Sequence, residues 1–313
     1  MSALTKSTLS GLRRKPAATK KIREPFSDRV FVVVITIMLA VLLALVLLPL
    51  IYIVASSFSS ASAVSAGRVT FWPVEFSLRA YKVALTNPQV LRGYYNSLIY
   101  AGAGTLISVT LTVAIAYPLS RKTFVGRNVL MTGLIFTMLF TGGLIPTYLV
   151  VQDLGMLNTR WALLIPNAIG VWQVIIARTF FANSIPDDLH EAATLDGASE
   201  LRYLWSVVLP LSKPLLAVIA LMYAIFQWNT YFDALIYLKD PGLYPLQIVL
   251  RNLLILDTSN GGAMDLAQHL EQEQLRNVLK YALIVVSSLP VLIIYPFVAR
   301  HFTKGVMIGA VKG

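Results

Sequence analysis

The chain has 313 residues, of which 57% are hydrophobic and only 13% are charged, about half the charged share of an ordinary soluble domain. This composition excludes a protein whose apolar side chains all lie in one soluble core. The net charge of +11 does not by itself indicate nucleic-acid binding, because the basic residues lie beside apolar runs rather than along one polar face.

The chain begins with a basic segment, residues 1–29, that lacks apolar periodicity and that we predict to be a disordered cytoplasmic tail. The uncharged run that follows, Val30–Ser56, is 27 residues long. A secretory signal has an apolar core of only about 7 to 15 residues, so we interpret this run as a retained helix.

Six runs are long and apolar enough to cross the hydrocarbon layer of a bilayer, which takes about 20 residues as a helix. They are Val30–Ser56, Gly93–Ser120, Asn128–Gln152, Trp161–Ala182, Pro214–Phe232 and Tyr281–Ala299. The runs are apolar on every face rather than in alternation, which favours helices over barrel strands. We therefore predict an all-α integral membrane protein with six transmembrane helices in a domain spanning residues 30–301.

The distribution of Lys and Arg predicts the orientation of this domain. Sixteen of them lie in the segments on the side of the N-terminus and eight in the segments on the opposite side. The positive-inside rule then predicts that both termini are cytoplasmic.

Particular residues predict a close helix contact, a kink and a helix end in the second, third and fourth helices. Gly104, Ser108 and Thr112 form a strip at helical spacing on which a second helix could pack closely. The segment Thr141-Gly142-Gly143 is expected to loosen or kink the third helix. Arg178 is expected to mark the end of the fourth, where a long side chain can reach water.

Two hydrophilic segments are longer than simple connections. The outer one runs from residue 233 to residue 279, and we expect it to be exposed, notably at the turn-rich stretch 257–262. The inner one, residues 184–213, predicts two short helices. Ser184 would cap a helix beginning near Pro186.

A reversal is predicted at Asp196-Gly197, because glycine accepts a positive φ. Ser199 would then begin a second helix that ends before Pro210. The product is a helix-turn-helix projection, which we call the knob (residues 184–213).

The knob resembles the EAA loop of bacterial ABC-importer permeases, in which Glu-Ala-Ala is followed by glycine and then by Ile-x-Leu-Pro. The matching residues are Glu191, Ala192, Ala193, Gly197, Leu209 and Pro210, and Val207 replaces the isoleucine. The resemblance implies that the knob docks into an ATPase subunit, with Glu191 as a polar contact, Gly197 as the turn and Asp196 beside it. A merely amphipathic loop would explain the carboxylates and alanines but not the whole spaced pattern. His190-Glu191 could begin a zinc-binding HExxH, but position 194 is Thr and supplies no second ligand.

The resemblance covers most of the chain. The chain is similar to the carbohydrate branch of these permeases, which includes the smaller maltose-permease subunit and permeases of the LplC and YtcP type. The resemblance implies the type I ABC importer permease fold in a bacterial cytoplasmic membrane. The implied partners are a second homologous permease, two ATPase subunits that bind ATP and magnesium, and an extracytoplasmic solute-binding protein. No cofactor is expected in this chain. The tail, residues 302–313, would reach the ATPase subunits, and the outer loop would contact the solute-binding protein.

A path for sugars needs amides, hydroxyls and aromatic rings rather than strong charges. Candidates are Thr141, Tyr148, Asn167, Trp172, Gln173, Gln227, Trp228 and Asn229, with Gln227 and Asn229 favoured. Packing between helices or placement at the membrane interface remains an alternative for each.

The resulting hypothesis is a non-enzymatic transport subunit that is powered by another chain, since the sequence has no GxxxxGK[ST] motif. A self-contained secondary transporter or channel is the alternative. It would need ion-coupling groups at membrane depth, and none of the six runs has a central carboxylate.

Overall fold

The computed structural model describes the backbone of residues 26–255 and 266–310, and the side chains of residues 26–253 and 274–296. No strand occurs in these described ranges, so the chain is all-helical there. In chain order the helices are α1 (Phe26–Ser57), α2 (Ala61–Ser65), α3 (Arg79–Thr86), α4 (Pro88–Ser120), α5 (Arg127–Leu139), α6 (Leu144–Asp153), α7 (Trp161–Leu164), α8 (Val171–Ser184), α9 (Asp187–Leu195), α10 (Glu200–Tyr203), α11 (Leu209–Leu211), α12 (Lys213–Trp228), α13 (Phe232–Tyr237), α14 (Leu246–Ile255) and α15 (Leu266–Ala310). A π-helical turn (Leu204–Val208) joins α10 to α11, and a 3-10 turn (Pro241–Leu243) separates α13 from α14.

Three helical stretches in the described ranges are long and apolar enough to cross a membrane, namely Phe26–Ser57, Pro88–Ser120 and Gln274–Pro296. Two bent pairs of helices raise the number to as many as five if each pair is one span: Arg127–Leu139 with Leu144–Asp153, and Glu200–Leu211 with Lys213–Trp228. The chain is thus a multi-span helical protein.

Two of the predicted helices are interrupted. The third bends by 114° between α5 and α6, and Gly143 has a φ of +85° there, which confirms the kink expected at Thr141-Gly142-Gly143. The prediction of a continuous fourth helix is wrong. Residues 165–170 are not helical between α7 and α8, where Pro166 lacks the N–H that a continuing helix needs.

Arg178 does not end the fourth helix, because α8 continues to Ser184. Its guanidinium Nε donates to the carbonyl oxygen of Leu119, at 3.3 Å, near the end of α4. One N–H group of the Arg178 guanidinium therefore has an acceptor within the protein.

The chain divides into two compact units, residues 1–50 and residues 51–313. Of the first unit, residues 26–50 are described, and they form an apolar helix whose side chains are nearly all exposed. In the second unit α4 is the central helix and packs against α8 and α12.

The strip of small residues on α4 makes the close helix contact that the sequence predicts. Ser108 and Thr112 are fully buried, and a Cβ added at Gly104 would lie 2.8 Å from the Gln227 side chain of α12. The Tyr223 hydroxyl of α12 is 2.8 Å from the Thr112 hydroxyl and accepts from the Gly170 N–H at 3.0 Å. One tyrosine therefore ties α12 both to α4 and to the break before α8.

The expected exposure of the outer segment is confirmed at Lys239, Asp240 and Pro241 and is wrong for helix α14. Leu246, Ile248, Val249 and Leu250 of α14 are buried, because their helical spacing places an apolar stripe against α4 and α15. The stretch 257–262 and the tail 1–25 lie outside the described residues. Residues 302–310 continue helix α15.

Candidate coupling knob and candidate substrate path

The knob folds as two short helices around the predicted turn. Helix α9 ends in a Schellman arrangement: the Ala198 N–H donates to the Ala193 carbonyl at 2.9 Å, and the Gly197 N–H donates to the Thr194 carbonyl at 3.0 Å. Gly197 has a φ of +75°, which confirms it as the turn residue. The Ser199 hydroxyl oxygen accepts from the Arg202 N–H at 3.3 Å and caps α10, as predicted.

The predicted start of the knob is corrected by the structure. The residue that precedes α9 is Pro186, and it makes no side-chain cap hydrogen bond. Ser184 ends α8 instead, so it cannot cap the next helix. Asp187 and Asp188 do lie in the first turn of α9, where the helix dipole favours carboxylates.

The predicted end of the second helix before Pro210 is also wrong, because the helical path continues to Leu211. The π-helical turn that precedes it accommodates the proline. Within this turn the Leu209 N–H donates to the carbonyl of Leu204, five residues back, so the hydrogen-bond ladder is already shifted where Pro210 has no donor.

Glu200 fixes the two helices of the knob to each other and to α4. Its carboxylate accepts from the Tyr117 hydroxyl at 2.6 Å and lies 2.8 Å from Nε2 of His190 on α9. These hydrogen bonds to Tyr117 and His190 hold the pKa of Glu200 below its ordinary value. Glu200 is therefore ionised at neutral pH and can accept both hydrogen bonds.

Arg121 adds a second anchor just beyond the end of α4. Its guanidinium carbon lies 4.9 Å from the centre of the Tyr117 ring and 5.4 Å from that of Tyr203, within the range of cation–π attraction. The neighbouring Lys122 donates to Asp187 at 2.9 Å and lowers the pKa of that carboxyl. The base of the knob is thus held by charge and ring contacts to α4.

Sequence reasoning missed Glu200, Tyr117 and Arg121. Tyr117 and Glu200 are 83 residues apart, so no local spacing relates them. The only local signal was the position of Glu200 in the first turn after a capping serine, which also suits an ordinary helix start.

The EAA-type residues divide into an exposed group and an inward group. Glu191, Ala192 and Asp196 are exposed, and in the described part of the chain Glu191 makes no side-chain hydrogen bond or ion pair. Ala193 and Leu209 pack against the core formed by α4, α8 and α12, whereas Pro210 is exposed.

Three large apolar side chains of the knob are also exposed. Leu195 is 89% exposed, and Leu201 and Trp205 are each 69% exposed. Exposed apolar residues among acidic ones on a projection are typical of a protein interaction surface.

The structure separates the candidate substrate-path residues by access. Gln227 is 1% exposed and Trp228 is 4% exposed, and the Trp228 indole N–H donates to the Ser287 carbonyl of α15 at 3.0 Å. Both are closed to a solute in this conformation. Gln173 is half-buried, and Thr141 and Trp172 are exposed; Tyr148 stacks on Tyr237.

Asn229 and Asn167 line the same cavity, which has a volume of about 530 Å³. Its lining comprises Asn167, Ile225, Phe226, Asn229, Thr230, Tyr231, Phe232 and Asp233. Nδ2 of Asn167 donates to Oδ2 of Asp233 at 2.7 Å. Sequence reasoning missed Asp233 as a site residue, because it opens the outer segment and lies 66 residues from Asn167.

Apolar helices long enough to cross a bilayer, with the knob held between two of them, define a multi-pass membrane protein, and the family match assigns it to the transporter permeases. A family model described as "Binding-protein-dependent transport system inner membrane component" matches residues 17–308. The chain belongs to this family.

Similar proteins match nearly the full length of the chain. Protein LplC of Bacillus subtilis (strain 168) is 42% identical over 92% of this chain and 96% of its own length. The polygalacturonan/rhamnogalacturonan transport system permease protein YtcP of the same organism is 39% identical over 91% of this chain and 99% of its own length. A chain in the crystal structure of a bacterial ABC transporter involved in the import of the acidic polysaccharide alginate superposes with a TM-score of 0.82 at 36% identity, covering 89% of this chain and 99% of that one.

Proposed function

We propose that this chain is a permease subunit of an ABC importer that moves an oligosaccharide across the bacterial cytoplasmic membrane by alternating access. Its cargo is a carbohydrate, since a polygalacturonan/rhamnogalacturonan permease and a transporter involved in alginate import both match it over about nine-tenths of its length. The observation that carries the mechanism is the knob, a projection that is held to α4 and that exposes Glu191 without a partner in the described part of the chain.

The topology proposed for this function has six spans with both termini in the cytoplasm. Three spans, the bent pair of α5 and α6, and helix α12 supply five crossings, and Glu200–Leu211, the other part of the second bent pair, belongs to the knob. The sixth is the segment of α7 and α8, in which a break lies between two apolar helices. The excess of Lys and Arg on the side of the N-terminus supports the orientation.

The knob is the proposed contact with an ATPase subunit. Glu191, Ala192 and Asp196 would face that subunit together with the exposed Leu195 and Trp205, while Ala193, Gly197, Leu209 and Pro210 shape and seat the knob. Movement of the ATPase would then reach α4 through the contact of Glu200 with Tyr117. ATP and magnesium would be bound by the ATPase, so this chain is a transport subunit and not an enzyme.

The remaining proposed partners follow from the family and from the first helix. The family description names dependence on a binding protein, which supports an extracytoplasmic solute-binding protein. A second, homologous permease and two ATPase subunits would complete the importer. The exposed apolar helix of residues 26–50 is suited to lipid and to the second permease.

The test is transport by the complete importer in proteoliposomes, with ATP hydrolysis measured alongside. A Glu191→Lys, Gly197→Pro double variant should insert normally, lose most substrate uptake and lose the stimulation of ATP hydrolysis by the loaded binding protein. Asp153→Lys is the matched control, since Asp153 is an exposed carboxylate at the end of α6, outside the knob. Unchanged uptake and stimulation in the double variant would refute the assignment of the knob.

A further inference from the structure

We infer that the cavity lined by Asn167, Asn229 and Asp233 is a saccharide-binding subsite of this chain and that it selects a neutral sugar unit over a uronate. This inference rests on the proposed function, because it assigns a substrate class to the transport path. The cavity volume of about 530 Å³ falls within the range of roughly 300–1,000 Å³ usual for small-molecule sites.

The polar atoms around the cavity favour a ligand that donates hydrogen bonds. Asn167 already donates to Asp233, Asn229 donates to the Ile225 carbonyl at 2.9 Å, and the Thr230 hydroxyl donates to the Phe226 carbonyl at 3.3 Å. One donor of each side chain is therefore used within the protein.

Among the side-chain groups of the cavity that are still free to form hydrogen bonds, acceptors outnumber donors. Oδ1 of Asp233 and the amide oxygens of Asn167 and Asn229 accept no hydrogen bond from the described residues. Sugar hydroxyls supply the donors that such a set of oxygens requires.

The apolar part of the lining suits the other face of a sugar ring. Phe226 and Phe232 are about half-exposed and Tyr231 is more than one-third exposed, and all three line the cavity. Aromatic rings beside a few convergent polar groups form a usual small-molecule site. They can pack on the C–H face of a pyranose while its hydroxyls face Asp233.

The charge of the cavity sets the selectivity. Asp233 is acidic and none of the eight lining residues is basic. A uronate replaces one hydroxyl donor of the sugar with a carboxylate that has only acceptor oxygens. It would therefore be repelled by Asp233 and would have one donor fewer for the open acceptors. The inference therefore separates the cargo of this chain from alginate, the acidic polysaccharide of the structurally similar transporter, and from the polygalacturonan for which YtcP is named, which is also built of uronates.

The decisive experiment measures uptake from a mixture of neutral and uronate oligosaccharides of two to six units. The complete importer is assayed in proteoliposomes, and depletion of each compound is followed by mass spectrometry. The wild type should take up neutral oligosaccharides preferentially. Asp233→Asn, which keeps the size of the side chain, should raise the KM for the neutral compounds and reduce the neutral-to-uronate ratio by about tenfold.

A second variant tests the same subsite in the opposite direction. Asn229→Lys places a cation in the cavity and should raise uronate uptake relative to neutral uptake. Asp153→Asn removes a carboxylate outside the cavity and should leave both KM and the ratio unchanged.

The outcomes separate the subsite from the proposed function. Sugar uptake with the same KM and the same ratio in the wild type, Asp233→Asn and Asn229→Lys would overturn the subsite while leaving the importer assignment intact. A wild-type preference for uronates would also overturn it. An importer that hydrolyses ATP with its binding protein but takes up no carbohydrate would instead refute the proposed function.

Discussion

Gly197 determines the reversal between the two helices of the knob. Its φ of +75° belongs to the left-handed region, which disfavours a side chain by about 1 kcal/mol. A Cβ added at this position would have no atom within 4 Å. The effect of a substitution would therefore come from the backbone alone and not from a clash.

We predict that Gly197→Ala weakens the knob by about 1 kcal/mol and lowers the number of substrate molecules imported per ATP, while Gly197→Pro abolishes coupled import. The measurement is the ratio of uptake to ATP hydrolysis in proteoliposomes. Gly102→Ala is the control, because Gly102 is helical and equally open but has no positive φ. An equal loss in both alanine variants would show that the left-handed turn is not the cause.

Glu200 is the residue that joins α9, α10 and α4. We predict that Glu200→Gln weakens the docking of the knob by about 1 kcal/mol, since a neutral amide is a poorer acceptor for the Tyr117 hydroxyl. A double-mutant cycle with Tyr117→Phe, read as coupled uptake, should show that the two effects are less than additive. Full additivity would mean that the hydrogen bond between these residues carries no coupling.

At the scale of whole helices, the sequence predicted most elements and the kink at Thr141-Gly142-Gly143, but not the break at residues 165–170. Apolar length identified the spans and the small residues of α4 identified its close contact, because both depend on local composition. The break at residues 165–170 contains Pro166, but a single proline also occurs inside the continuous helix α4, at Pro118. Whether a proline ends a helix depends on neighbouring helices, which a single sequence does not show.

The contact between α4 and α12 leads to a prediction at this scale. Gly104→Ala would bring a methyl group to 2.8 Å from the side chain of Gln227, which is itself fully buried. We predict a destabilisation of about 1–3 kcal/mol, measured as a lower melting temperature of the purified protein in detergent. Replacing Gln227 with Ala in the same chain should restore part of the loss, because it removes the atoms that clash.

Gly102→Ala is again the matched control, since it lies on the same helix with nothing within 4 Å. It should melt at or slightly above the temperature of the wild type, because alanine is the better helix former. A double variant of Gly104 and Gln227 that melts no higher than Gly104→Ala alone would contradict the assignment of the contact.

For the whole molecule, the sequence predicted the class of protein and the position of the knob, while the structure supplied the groups that anchor it and the carboxylate of the cavity. Both of these depend on residues distant in sequence: Tyr117 with Glu200, and Asn167 with Asp233. The burial of α14 escapes prediction for a related reason. Helix α14 is apolar on one face only, unlike the continuously apolar spans. It also lies in a segment whose polar residues indicate exposure.

The absence of cysteine allows a direct test of how the molecule crosses the membrane. Glu191 in the knob and Lys239 after α13 are both exposed, and they lie on either side of α12 in the sequence. If α12 crosses the bilayer, as its apolar composition and the distribution of basic residues indicate, single cysteines at these positions face opposite compartments. We predict that a membrane-impermeant thiol reagent labels Lys239→Cys in cells with a permeabilised outer envelope. Glu191→Cys should be labelled only in inverted membrane vesicles. Labelling of both positions from one side would show that α12 does not cross, and it would overturn both the six-span topology and the placement of the knob beside a cytoplasmic ATPase.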